Sequence, residues 1–160
     1  MQKFMEKIKQ ISKENEKIAI FVDMDGTIAV YNVYQDESVS KKMEDEYLKV
    51  EPVNYVINVL EQLDIYILTL SRTLKITEQK KEWLRKNVPF VKENNWIIIT
   101  KEINEYSKEN RDIVKAEKMN EKCNEYNKLI LLDDDHKILK DTQKMLGDYG
   151  RVFHISSILV

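Results

Sequence analysis

The run Ile18-Ala19-Ile20-Phe21-Val22-Asp23-Met24-Asp25-Gly26-Thr27 decides the fold. Its first half is apolar, with β-branched and aromatic residues, and reads as a strand buried on both faces. It stops abruptly at two carboxylates one residue apart, Asp23 and Asp25. A carboxylate is costly to desolvate without a partner, so a buried strand ending in two of them opens onto a polar site. In open α/β sheets, ligands bind at that end of the strands.

Working outward, residues 2–15 place Phe4, Met5, Ile8 and Ile11 at helical spacing among Lys and Glu. This predicts an amphipathic helix packed on the sheet, with a partner-binding helix as the alternative. Residues 28–52 show no clean period; Tyr34, Met43, Tyr47 and Leu48 are scattered among charges. Pro52 is expected to start a helix through Val53, Val56, Ile57, Val59, Leu60 and Leu63. Further strands are predicted at 65–69, 96–99, 129–132 and 152–155. Between them lie expected helices within 73–88, carrying Ile76, Trp83 and Leu84, and over about 111–126, carrying Ile113, Ala116, Met119 and Cys123. A last one near 136–147 carries Ile138, Leu139 and Met145, with Gly147 and Gly150 ending it. Strands alternating with helices imply right-handed crossovers: an α/β fold with a mostly parallel, five-stranded sheet covered by helices on both faces.

Composition narrows the class. With 160 residues, 42% hydrophobic and 34% charged, the chain reads as one soluble globular domain spanning 1–160. The net charge of −2 exerts no global pull toward nucleic acid or anionic membrane, although a local basic patch remains open. The lone Cys123 has no intrachain disulfide partner, which fits a reducing, cytoplasmic compartment. No apolar run approaches the ~20 residues that span a bilayer, so no membrane partner is expected. The N-terminal residues lack the apolar segment of a signal peptide, so no secretory leader is expected; no internal repeat is visible, and the sequence leaves the oligomeric state open.

The polar residues at the strand ends carry the functional reading. The first strand offers Asp23 and Asp25, the second Thr69 with Ser71 as a near alternative, and the fourth Asp133 and Asp134. Parallel strands bring these ends to one edge of the sheet. Carboxylates so crowded need a cation to stay ionised. No His or Cys cluster accompanies them, so hard oxygen ligands point to Mg²⁺. Lys115, one helix and a turn ahead of Asp133, is the favoured lysine to bring positive charge to this edge, with Lys108 as rival. Asp135 reads as a helix cap, and His136 and His154 as surface and packing residues.

The Asp-x-Asp-Gly-Thr order, the strand-end Thr69, Lys115 and the Asp133-Asp134 pair together resemble the four motifs of the haloacid dehalogenase-like (HAD) phosphohydrolases, in order. The resemblance implies a Rossmann-like HAD fold with a minimal cap inserted at about 28–52. It implies that Asp23 is the nucleophile forming an aspartyl-phosphate and that Asp25 is the general acid and then base. It implies that Thr69 and Lys115 hold the phosphoryl oxygens, with Met24 and Leu70 among the phosphate-binding positions. It implies Mg²⁺ held by Asp23, the Asp25 main-chain carbonyl and Asp133, with Asp134 assisting.

Two branches are resembled. Residues 64–69, Lys80-Lys81-Glu82-Trp83-Leu84 and the Leu48-x-x-x-Pro52 stretch are similar to the 5′(3′)-deoxyribonucleotidases, which implies a small phosphorylated substrate, a nucleotide. Arg111-Asp112-Ile113-Val114-Lys115-Ala116-Glu117 is similar to the 3′-phosphatase domain of phage polynucleotide kinase, which implies nucleic-acid 3′ ends as the alternative. No P-loop is present, so no kinase half is encoded in these residues. Tyr31, Tyr34 and Tyr47 are candidates to stack on a base, or else to pack within the cap. A non-catalytic HAD-like binding protein is the remaining alternative, against which both Asp23 and Asp25 stand.

Overall fold

The computed structural model of the chain describes residues 3–30 and 47–159. Ten main elements follow one another. These are α1 (Lys3–Glu14), β1 (Ile18–Val22), α2 (Asn54–Leu60), β2 (Ile65–Ser71), α3 (Leu74–Asn87), β3 (Trp96–Thr100), α4 (Val114–Asn120), β4 (Lys128–Asp133), α5 (His136–Leu146) and β5 (Gly150–His154). The strands form one sheet in the order β3-β2-β1-β4-β5. Every pairing is parallel, with Ile20 beside Ile65 and Ile130, Thr69 beside Ile98, and Asp133 beside His154.

Alternation along the strands splits the core into two layers. Ile20, Val22, Ile65 and Ile67 point to one face and pack with Phe4 and Ile8 of α1, Val56 and Leu60 of α2, and Trp83 and Leu84 of α3. Ala19, Phe21, Leu68, Leu129 and Leu131 point to the other and meet Val114 and Met119 of α4 and Ile138, Leu139 and Leu146 of α5. The parity then decides the site. Asp23 and Asp133 continue the α4 face, whereas Thr69 continues the α3 face.

Several boundaries differ from expectation. Pro52 does not start a helix: it is bridged to Ala29, Val53 donates its N–H to Ile28 at 2.8 Å, and the chain stays extended until α2 begins at Asn54. The second strand runs past Thr69 to Ser71, because pairing with β3 continues to Ser71 beside Thr100. The helix expected over 111–126 is only Val114–Asn120. Before it, the Asn110 carbonyl gathers the N–H groups of Ile113 and Val114; after it, Lys122 and Cys123 bond three residues back, in a stretch rich in weak helix formers. On α5 the buried set is Ile138, Leu139, Thr142 and Leu146, which turns Met145 outward at 45% exposure.

Of the segment expected as a cap, only residues 28–30 and 47–52 are described; Tyr31, Tyr34 and Met43 lie outside the described residues. The two ends of the segment are joined, Val30 donating to the Glu51 carbonyl at 2.9 Å. Among the described residues no helix is long and apolar enough to cross a membrane.

Candidate active site

β1 delivers Asp23 to the edge of the sheet, where its N–H still reaches the Leu132 carbonyl of β4 at 3.0 Å. The chain then turns. The Met24 carbonyl accepts N–H groups from Thr27, Ile28 and Ala29, and the Met24 side chain is buried. Gly26 has φ +77°, a left-handed conformation that a side chain strains, and a Cβ there would lie 2.1 Å from Asp134 Oδ2. The turn therefore requires glycine twice over, once for its backbone and once for room beside a carboxylate. It also means that extended geometry does not continue to Asp25. Asp23 and Asp25 part ways and find different lysines.

Lys115, near the start of α4, donates to Asp23 Oδ1 at 2.9 Å and to Asp133 Oδ2 at 2.7 Å. The other oxygen of Asp133 accepts the N–H groups of Asp134 and Asp135 at 2.8 and 3.1 Å. All three side chains are buried. Burial lowers the Lys115 pKa, but the charges of Asp133 and Asp23 outweigh it and hold the ammonium above the ordinary lysine value. Burial, then the charge of Asp133, pushes the Asp23 carboxyl well up despite Lys115. Asp134 is pushed up to about 6 by burial and by Asp133. Three carboxylates thus share one ammonium, and the excess negative charge calls for a second cation.

The donor set fits Mg²⁺. Asp23, Asp133 and Asp134 each offer an oxygen, all within 4.8 Å of one another, with no sulfur or imidazole among them.

On the opposite layer, Lys80 of α3 is also buried in the site. Its ammonium donates to Asp25 Oδ2 at 3.0 Å, Thr69 Oγ1 at 2.9 Å and the Leu70 carbonyl at 2.7 Å. Leu70 thus lies inside β2 with its carbonyl already engaged. Ser71, the alternative hydroxyl, donates to the Thr73 carbonyl at 3.0 Å and serves the turn into α3. Lys80 escaped the motif reading because Lys80-Lys81 looks like a solvated charge pair. A signal was present: Lys80 stands four residues after Ile76 and three before Trp83, on the apolar stripe of the helix.

The cleft at this edge has a volume of about 730 Å³. Asp23, Asp25, Thr69, Lys80, Lys115 and Asp133 line it, together with Arg72, Lys101, Tyr106, Lys108 and Arg111. Lys108, the rival to Lys115, lines the same cleft, while Lys115 lies between the carboxylates. Tyr47 is buried beneath Lys80, whose ammonium sits 5.1 Å from the ring centroid, and packs edge-on against Trp83. It is a packing residue with no face free for a base. Burial and the charge of Asp25 raise its phenol pKa well above the usual value. Asp135 caps α5, accepting from Lys137 and Ile138 at 2.9 and 3.1 Å. His136 and His154 stack on each other at 4.3 Å, and His154 Nε2 lies 3.1 Å from the Asp134 carbonyl.

A parallel sheet whose edge gathers an Asp-x-Asp turn, a buried lysine and a second carboxylate pair defines a HAD-type phosphatase. A family model described as the polynucleotide kinase PNKP phosphatase domain matches residues 17–147, and the chain belongs to that family. Among solved structures it is similar to a chain of the Pnkp1/Rnl/Hen1 RNA repair complex (TM-score 0.56, 21% identity, covering 86% of this chain and 42% of that one). It is also similar to a chain of a second Pnkp1/Rnl/Hen1 complex (TM-score 0.59, 20% identity, covering 86% and 46%). A third likeness is to the HAD domain of the effector protein Lem4 from Legionella pneumophila (TM-score 0.53, 17% identity, covering 86% of each chain). The chain thus spans less than half the length of the first two relatives. These identities support the shared fold. No curated protein matches in sequence.

Proposed function

We propose that the chain is a Mg²⁺-dependent phosphomonoesterase that removes 3′-phosphates from nucleic-acid ends. The match of residues 17–147 to the PNKP phosphatase family carries this reading and favours it over the mononucleotide substrate expected from the deoxyribonucleotidase resemblance. Four cationic side chains that line the cleft, Arg72, Lys101, Lys108 and Arg111, support it, with Arg111 also ion-paired to Asp112 and Asp135. They supply the local positive charge that a net charge of −2 does not, and a polynucleotide offers further phosphates for them to meet. The mononucleotide reading stays second. It is supported by Lys80, part of the stretch shared with that branch, reaching the site floor.

Asp23 attacks the phosphorus as the ester P–O bond breaks, giving an aspartyl-phosphate, while Asp25 gives its proton to the departing oxygen. Asp25 then takes a proton from a water whose oxygen bonds to phosphorus. This releases inorganic phosphate and restores both carboxyl groups. Thr69 and Lys115 orient the phosphoryl oxygens, and Lys115 opposes their charge. Asp23, Asp133 and Asp134, with the Asp25 main-chain carbonyl, would hold Mg²⁺, which when bound adds charge neutralisation and positioning. The free thiol of Cys123 fits a reducing, cytoplasmic setting.

The test is phosphate release, with Mg²⁺, from 3′-phosphorylated DNA and RNA oligonucleotides and from deoxymononucleotides. The oligonucleotides are expected to be preferred, and Asp23→Asn to lower kcat by at least ~10⁴-fold. Preference for mononucleotides would reverse the order of the two readings. Equal rates with and without Asp23 would refute the covalent route.

A further inference from the structure

We propose that Lys80 is a positioning residue for the acid–base step. It fixes Asp25 and Thr69 so that each presents its remaining polar group to the phosphate ester. The inference rests on the phosphatase reading above and assigns a part in it to a lysine outside the four motifs.

An ammonium has three N–H donors, and each has an acceptor here: Asp25 Oδ2, Thr69 Oγ1 and the Leu70 carbonyl. With all three engaged, Lys80 has none left for a phosphoryl oxygen. Its action is on its neighbours. With Oδ2 of Asp25 tied down, Oδ1 is left buried and without a hydrogen bond of standard geometry among the described residues, as is the hydroxyl of Tyr47, the phenol that feels the Asp25 carboxylate. Oδ1 is therefore the oxygen left to carry the acid's proton and donate it to the leaving oxygen, which can only accept. The hydroxyl of Thr69 accepts from Lys80, so its own proton is turned elsewhere. Its one other contact, to the Leu70 carbonyl at 3.5 Å, lies at the limit of hydrogen bonding. That proton is available to a phosphoryl oxygen.

The clamp is built to be stiff. Lys80 is 1% exposed. The Tyr47 ring covers its ammonium from one side, and Gln79 Oε1 accepts the Tyr47 N–H at 3.0 Å, tying that segment to α3. A lysine serving only to neutralise charge at the surface would need none of this enclosure.

The discriminating experiment exploits leaving-group chemistry. p-Nitrophenolate departs readily without a proton; a sugar hydroxyl does not. Lys80→Met and Lys80→Gln are each compared with wild type in single turnover on p-nitrophenyl phosphate and on a 3′-phosphorylated oligonucleotide. We expect release of the oligonucleotide leaving group to fall by ~10³-fold, through Asp25 and Thr69 together, and the nitrophenol burst, which needs Thr69 but no proton from Asp25, to fall by only ~10-fold. In an Asp25→Asn background, Lys80→Met is expected to add only that smaller, ~10-fold loss in oligonucleotide turnover. Equal losses on both substrates, or fully additive losses in the double variant, would each overturn the proposal. Wild type inactive on both esters would instead refute the phosphatase reading itself. If neither variant folds, a wild-type crystal grown with orthovanadate decides. Lys80 is expected to keep its three acceptors, and a direct Lys80–vanadate bond would overturn the positioning role.

Discussion

Two lysines reach the same sheet edge from opposite layers, and their surroundings differ. Lys115 comes from α4 and bridges Asp23 and Asp133, both almost wholly enclosed. Lys80 comes from α3 and holds one carboxylate, Asp25, whose side chain keeps 18% exposure. The first clamp balances charge among groups that water cannot reach. The second has spare exposure on its carboxylate and spends its bonds on orientation. The difference teaches that a buried lysine in a site is defined by what its acceptors would do without it.

The sharpest way to break this contrast is to delete each lysine in turn in the metal-free protein. Lys115→Met leaves two buried carboxylates unpaired and is expected to cost about 3–5 kcal/mol in urea unfolding, part of it recovered by saturating Mg²⁺. Lys80→Met is expected to cost less, about 1–3 kcal/mol, since Asp25 can rehydrate. Equal costs would erase the distinction. An effect of similar size tests the charge-rich half alone. Gly26→Ala forces a Cβ against Asp134 and strains a positive φ, so stability should drop by about 1–3 kcal/mol and the thermal shift produced by Mg²⁺ should shrink. An unchanged shift would separate Asp134 from the cation.

The smallest effect lies just outside both clamps. Asp135→Ala removes the α5 cap and should cost about 1 kcal/mol. Partial burial raises the Asp135 pKa, but the Ile138 N–H and Arg111 outweigh it and hold the carboxyl below its ordinary value. A carboxyl depressed in the folded state contributes stability above its unfolded pKa of about 3.9 and loses it as pH falls through the folded pKa. Asp135→Asn should therefore be less stable than wild type at pH 7 and equal to it at the acid end, as read by thermal melting across pH.

The sheet was legible because its inner strands are apolar runs largely buried on both faces, each ended by a polar residue that no core accepts. Asp23, Asp133 and Lys115 converge as their spacing suggested, because strand parity and the helix leading into β4 leave them little choice. Asp135 as a cap was equally readable. Other features depend on competition that a pattern does not reveal. Pro52 suits a helix start, yet pairing of Ala29 with Pro52 keeps the chain extended. Met145 and Leu146 are adjacent and both apolar, and only the phase set by Ile138 and Leu139 turns Leu146 inward. Lys80 was hidden because a lysine on an apolar stripe looks like a charge beside a core until the acceptors from three other positions are known.

The short ladder between residues 28–30 and 51–53 carries one more implication. It brings Val30 and Glu51, on the two described sides of the segment expected as a cap, within a hydrogen bond of each other. Whatever lies between is anchored at a single doorway beside the Asp25 turn. Exchanging that stretch for a longer one would raise the closure entropy only logarithmically with length. Replacement of that stretch would thus leave the ladder, and the strands whose ends build the site, where they are.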